Sequence, residues 1–139
     1  DYTIFFRELS NLPDNVEAIK RSFYLELNPK AATAELEARW SHWFNHWQTL
    51  IENRCTSLSK KELSSQMKRI NPKYTLREWQ VAPAYQKASE GNYDLLREVQ
   101  QIMTAPYEEQ SKEIEDKYYK LQPTALFEVG GLSHYSCSS

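Results

Sequence analysis

The residues best suited to hold a metal ion are His42 and His46, which lie four positions apart. On a helix, this spacing brings two imidazoles onto one face, where both could bind the same ion. A protein zinc site needs at least three protein ligands, however, and His134 is distant in the sequence. We therefore interpret the pair as surface histidines. A zinc-binding helical domain stays open as an alternative that metal analysis of the purified protein would decide.

The two cysteines, Cys55 and Cys137, are the residues that could carry thiol chemistry. Cys137 is third from the end of the sequence, where an exposed thiol would be accessible to exchange or oxidation. Reactivity also requires a lowered thiol pKa, which a sequence does not reveal, so the residues alone favour an inert thiol. Cys55 is predicted to lie at a helix end and to act there only as a small apolar side chain. A disulfide between the two is allowed by the count but not indicated.

Two basic pairs, Lys60-Lys61 and Lys68-Arg69, are the residues that could contact phosphate groups. The whole chain has 17 Lys and Arg against 19 Asp and Glu, a net charge of −2, whereas nucleic-acid-binding modules usually have a basic excess. We therefore predict a solvated helix face and no nucleic-acid partner. No apolar run approaches the roughly 20 residues of a membrane span, so no span is expected.

A stripe of bulky apolar residues gives the clearest helical pattern, between residues 31 and 54. Its members recur at steps of four and three, which places them on one side of a helix. They are Leu36, Trp40, Trp43, Trp47 and Leu50. Aromatic side chains dominate protein cores, so the stripe is expected to form the core rather than a ligand site.

Helix start and stop signals predict further short helices. Ser59 followed by Glu62 is a capping-box pattern, and Gly91 predicts a helix C-terminus. A helix is predicted from about residue 73 to 90, either kinked or restarted at Pro83. The charged stretch 107–121 is either a solvated helix or an extended connection.

The composition favours long helices, because only three Gly and six Pro interrupt a chain that is 40% hydrophobic. We predict an all-α fold of five to seven helices. An irregular multi-helix domain would occupy residues 1–123 and an extended C-terminal tail without regular structure would occupy 124–139.

Four stretches are more specific than a generic helical pattern. They are DYTIFFRELS at 1–10, MKRINPKYTLREW at 67–79, GNYDLLREVQQIMTAPYEEQ at 91–110 and GLSHYSCSS at 131–139. Together they resemble the C-terminal region of the selenoprotein O family, in its cysteine-containing form. In that family an Asn-Pro-x-Tyr-x-Leu-Arg segment lies between helices, and the chain closes with Cys-Ser-Ser or selenocysteine-Ser-Ser.

The resemblance implies a parent enzyme with a kinase-like fold that transfers AMP from ATP to hydroxyl side chains of proteins, using Mg²⁺ or Mn²⁺. Because the first residue is Asp1 rather than Met, we expect the chain to be a piece of that enzyme. A kinase-like nucleotide site needs a Gly-rich loop, a strand lysine and metal-binding Asp and Asn residues, and no such motif occurs here. The piece itself is therefore predicted to be non-catalytic, with no cofactor of its own.

The resemblance also suggests roles for four residues. Cys137 would act as a redox switch by pairing with a cysteine near the kinase-like active site. Asn71, Tyr74 and Arg77 would be structural or interdomain residues. The expected partners are the kinase-like catalytic domain of the same chain and the protein substrates of the parent, in mitochondria for a eukaryotic member and in the cytoplasm for a bacterial one. The alternative is an independent helical module that binds a partner helix in an aromatic groove.

Overall fold

The computed structural model describes residues 1–27 and 33–128. These residues form helices and no strand, which confirms the predicted all-α class. The α-helices are α1 (Tyr2–Leu9), α2 (Glu17–Lys20), α3 (Ala34–Arg54), α4 (Lys60–Ile70), α5 (Glu78–Ser89), α6 (Asp94–Ile102) and α7 (Lys112–Tyr118). Short 3-10 turns occur at Leu25–Leu27 and Thr124–Leu126. The chain divides into two compact units, unit 1 (Asp1–Pro72) and unit 2, which begins at Lys73.

Side-chain caps fix where the helices of unit 1 begin. The Thr33 hydroxyl accepts a hydrogen bond from the Leu36 N–H at the start of α3. At the start of α4 the predicted capping box is confirmed: the Ser59 hydroxyl accepts from the Glu62 N–H, and the Glu62 carboxylate accepts from the Ser59 N–H. Each cap satisfies donors that a helix N-terminus otherwise leaves unpaired.

The core of unit 1 forms where α1, α2 and α3 contribute Leu9, Ile19 and Phe44, which are all buried. Trp40 and Trp47 pack against this cluster, as the stripe predicted. The prediction is wrong for Trp43 and Leu50, which are exposed. Successive helix residues are turned by about 100°, so a stripe through 40, 44 and 47 is as regular as one through 40, 43 and 47. Aromatic residues stand at both 43 and 44, and only the packing of α1 and α2 decides between them.

Unit 2 differs from the sequence prediction at its beginning. Residues 73–77 are not helical, and α5 begins only at Glu78. The backbone N–H groups of Lys73 and Tyr74 both donate to the Pro106 carbonyl, which holds this segment away from helical geometry. The helix then continues through Pro83 without a restart.

Two later features of unit 2 bear on the sequence predictions: the first decides an open alternative and the second confirms the helix end predicted at Gly91. The stretch after residue 107 forms α7, whose first turn is capped when the Ser111 hydroxyl accepts from the Ile114 N–H. This helix is not simply solvated, because Tyr118 at its end and the following Tyr119 are buried. Gly91 has a φ of +86°, a left-handed conformation that favours glycine after a helix.

The predicted boundary at residue 123 stays a prediction. The 3-10 turn at Thr124–Leu126 lies beyond it, and residues 129–139 lie outside the part of the chain that the structure describes. Within the described ranges, none of the helices is both long and apolar enough to cross a membrane.

Candidate functional site

In unit 1, Asn71, which the family resemblance suggested as a structural or interdomain residue, joins the end of α4 to α1. Its side-chain Nδ2 donates to the Ser10 hydroxyl at 3.0 Å, and its backbone carbonyl accepts a hydrogen bond from the Arg7 guanidinium at 3.0 Å. Arg7 also donates to the Lys68 carbonyl at 3.2 Å and is only 2% exposed. A guanidinium thus satisfies carbonyls that the C-terminus of α4 leaves without helical partners.

In unit 2, the most unusual feature is a buried lysine. Lys73 is 5% exposed, and its ammonium forms ion pairs with Glu109 and, at 2.9 Å, with Glu115 in the first turn of α7. The same nitrogen lies 5.2 Å from the centroid of the Tyr119 ring and 5.9 Å from that of Tyr74. Two carboxylates and two aromatic faces therefore surround one cation. We call these five residues the lysine cluster.

The electrostatics of the lysine cluster make it a structural ion pair rather than a catalytic base. Burial lowers the pKa of Lys73, but hydrogen bonds to Glu109 and Glu115 outweigh that effect and leave the pKa above its ordinary value. The ammonium therefore keeps its proton at neutral pH, whereas a nucleophilic or general-base lysine needs a lowered pKa.

The other two residues predicted in this block, Tyr74 and Arg77, also lie in unit 2. Tyr74 is 1% exposed, and burial raises the pKa of its hydroxyl. The backbone N–H of Gln110 lies close enough to lower the pKa of this hydroxyl slightly, against the effect of burial. No described group, however, forms a hydrogen bond of normal geometry with the hydroxyl. Arg77 is half-buried immediately before α5, and its carbonyl accepts from the Gln80 and Val81 N–H groups. Their roles as structural or interdomain residues stay predictions.

Sequence reasoning missed a second polar cluster in unit 2. The Glu98 carboxylate on α6 accepts hydrogen bonds from the Tyr118 hydroxyl and the Lys117 ammonium on α7. Burial raises the pKa of Glu98, but these bonds outweigh it and leave the pKa lowered. Burial, and then the bond to Glu98, raises the pKa of Tyr118. Because the partners are about twenty positions apart, no local pattern could have revealed them.

The remaining candidate residues are two histidines and two cysteines. His42 and His46 are exposed on α3. Cys55 is half-buried at the end of α3 and lines a groove of about 420 Å³, which Trp47 and Leu63 also line. Cys137 lies outside the described residues.

The parent enzyme implied by the resemblance uses a divalent metal ion and a nucleotide, and this chain is predicted to hold neither. Within 1–27 and 33–128, no three His, Cys, Asp or Glu side chains are close enough to hold a metal ion. The buried cations Arg7 and Lys73 are already engaged by backbone carbonyls and by carboxylates. Neither is available to hold a phosphate group.

Comparison with known proteins decides the family. A sequence model described as "Protein adenylyltransferase SelO" matches residues 1–104. The chain belongs to the SelO family. Two similar relatives, both named protein nucleotidyltransferase YdiU, come from Flavobacterium johnsoniae and Vibrio parahaemolyticus. Each is 32% identical over 100% of this chain.

A third YdiU relative, from Aromatoleum aromaticum, is 29% identical over the whole chain. In all three cases the alignment covers only 26% of the relative. The chain therefore spans about a quarter of the length of these SelO-family proteins. The predicted resemblance is confirmed, and the parent is supported as a nucleotidyltransferase by the names of its relatives.

Proposed function

We propose that the chain is the C-terminal helical and regulatory segment of a SelO-type protein adenylyltransferase, which transfers AMP from ATP to Ser, Thr or Tyr hydroxyls of proteins. The observation that carries this proposal is the match to the SelO family over residues 1–104. The chain aligns with only 26% of the length of its Flavobacterium johnsoniae relative. The nucleotide site and its Mg²⁺ or Mn²⁺ belong to the kinase-like domain of the same polypeptide. That domain is the segment's partner, and the parent acts on protein substrates.

The interior of each unit supports a structural role for the segment. The buried cations of unit 1 and unit 2, Arg7 and Lys73, are each held by groups of their own unit. The described residues offer no metal-binding group of three ligands. A segment of this kind stabilises or positions a catalytic domain and leaves the chemistry to it.

Titration calorimetry tests whether the segment binds the nucleotide. We expect no measurable heat of binding when ATP is added to the chain with Mg²⁺ or with Mn²⁺. Binding in the micromolar range would contradict the proposal, because this chain would then hold a nucleotide site that we assign elsewhere.

We further propose that Cys137 forms a disulfide with a cysteine near the kinase-like active site when a two-electron oxidant, such as a peroxide, accepts the two electrons and two protons that the thiols lose. This disulfide restrains the enzyme. The test is AMP transfer by the full polypeptide under oxidising conditions, with and without dithiothreitol. The Cys137→Ser variant should lose the response to dithiothreitol, whereas Cys55→Ser, the matched control, should keep it. An unchanged response in Cys137→Ser would contradict the switch.

A further inference from the structure

One side of α1 carries aromatic rings that unit 1 does not bury. Tyr2 is 83% exposed and Phe6 47% exposed, and their rings stack one helical turn apart with centroids 6.5 Å from each other. The other side of the same helix is buried through Ile4 and Leu9. One side of α1 is therefore buried in unit 1, whereas the opposite side is apolar but uncovered. This pattern is expected of a helix that packs against a second partner.

These rings continue onto α3. Phe6 contacts Phe5 edge-on at 5.3 Å between centroids, and Phe5 lies 5.7 Å from the ring of Trp43. Trp43 is 38% exposed. Tyr2, Phe6 and Trp43 thus form one continuous surface joined through Phe5, which we call the α1 aromatic face. Single exposed apolar residues are common, but contiguous aromatic patches are typical of interaction surfaces.

We propose that the α1 aromatic face binds an apolar surface of the same polypeptide, in the part that lies outside this chain. The chain covers only 26% of its relatives from Flavobacterium johnsoniae and Vibrio parahaemolyticus, so about three quarters of such a SelO-family protein lies elsewhere and needs surfaces against which to pack. None of the three exposed residues carries a charge, which suits an apolar partner rather than a nucleic acid or another polyanion. The exposed Tyr2 hydroxyl adds a hydrogen bond to an acceptor on that partner.

This inference rests on the proposed function, since it takes the remaining polypeptide to be the partner of the segment. It goes further by assigning the contact to three named rings of unit 1. Large aromatic side chains at the centre of an interface usually supply much of its binding energy. Loss of Tyr2 and Phe6 should therefore weaken the docking without removing a buried residue from unit 1.

Hydroxyl-radical footprinting of the full polypeptide tests the docking, with Tyr85 as a control in the same molecule. Tyr85 is 51% exposed, so the structure of this chain alone would make Tyr2 the more reactive of the two tyrosines. Docking reverses that order, and Tyr2 should be oxidised more slowly than Tyr85. Oxidation of Tyr2 as fast as Tyr85 or faster would overturn the proposal. Protection that disappears on dilution would also overturn it, because the partner would then be a second copy.

A pair of variants separates the docking surface from the proposed enzyme function. In the full polypeptide, Tyr2→Ser combined with Phe6→Ser should increase the oxidation of Trp43 and reduce AMP transfer. Tyr85→Ser, the matched control, should change neither. Unchanged Trp43 oxidation in the double variant would contradict the docking surface. If the unmodified polypeptide transferred no AMP while Tyr2 stayed protected, the proposed function would fail and the docking surface would stand.

Discussion

At the centre of unit 1, Leu9, Ile19 and Phe44 bury apolar surface, whereas unit 2 surrounds the charged Lys73 with tyrosines and carboxylates. Apolar burial depends on area and shape and involves no charge that a change of pH could remove. A buried ion pair depends instead on both partners keeping their charge and geometry. The difference teaches that the two units should respond to different perturbations, although both are all-α.

Removing the aromatic centre of unit 1 should have the largest effect. Phe44→Ala is expected to cost about 3–5 kcal/mol of unfolding free energy, because Phe44 is 1% exposed and would leave a cavity. Trp43→Ala, one position along α3, is the control and should cost clearly less because the ring is exposed. Urea unfolding followed by circular dichroism measures both. Equal losses would mean that α3 packs by its Trp43 side.

Removing the buried cation of unit 2 should have the next largest effect. Lys73→Met should cost about 1–3 kcal/mol, since both carboxylates lose their partner but are near enough to the surface to be partly hydrated. Lys112→Met is the control, because Lys112 pairs with Asp116 on the surface, and surface pairs contribute about 0–1 kcal/mol. Hydrogen exchange of peptides from unit 2 locates the loss. If the two variants were equally stable, the lysine cluster would not be a stabilising feature.

Alkaline pH should destabilise unit 2. The pKa values of Tyr118 and Lys73 are raised above their ordinary values of 10.0 and 10.5. As pH rises past these values, the unfolded state loses its protons first, so the folded state binds more protons and stability falls. The stabilisation is fully present below pH 10 and is lost as pH passes through the raised pKa values. The free energy of unfolding should show this decline when it is measured from about pH 8 to about pH 12. This range lies on both sides of the ordinary tyrosine pKa of about 10.

Tyr118→Phe sharpens the alkaline test. The variant lacks the titrating hydroxyl, so its stability should fall less steeply with pH than that of the unmodified chain. A matched control is Tyr85→Phe on α5, whose ring is 51% exposed. Identical slopes for Tyr118→Phe and Tyr85→Phe would show that the bond between Tyr118 and Glu98 does not set the alkaline limit.

The smallest effect is expected for Tyr74→Phe, although Tyr74 is almost fully buried. Its hydroxyl meets no described hydrogen-bond partner, so removing the oxygen loses no bond and relieves the burial of a polar atom. The unfolding free energy should stay within about 0.5 kcal/mol of its original value or rise. A large loss would reveal a partner for the hydroxyl and so a polar function for this tyrosine.

Local signals predicted much of the fold. The capping box at Ser59 and Glu62 was readable because both groups lie within one helical turn. The choice between Trp43 and Phe44 was not readable, because adjacent aromatic residues give two stripes of equal regularity, and a neighbouring helix selects one. Helical periodicity also missed the non-helical start of unit 2, although the family resemblance places this segment between helices. The Pro106 carbonyl that accepts hydrogen bonds from the Lys73 and Tyr74 N–H groups comes from far along the chain.

The candidate site was predicted only in outline. Asn71, Tyr74 and Arg77 were identified by the family resemblance of their segment and not by any chemical pattern. Lys73 stands in the same segment but was overlooked, because its partners Glu109 and Glu115 are 36 and 42 positions away. Contacts at such separations depend on the packing of α7 and cannot be read from periodicity.

The apolar cluster of unit 1 and the lysine cluster of unit 2 both fill an interior with groups from within the unit. The central proposal is that this chain supports an adenylyltransferase without holding its nucleotide. Cross-linking of the full polypeptide with a photoreactive ATP analogue and Mg²⁺, followed by peptide mapping, tests it most directly. We predict that every labelled peptide lies outside residues 1–128. A labelled peptide within that range, competed away by unmodified ATP, would contradict the claim.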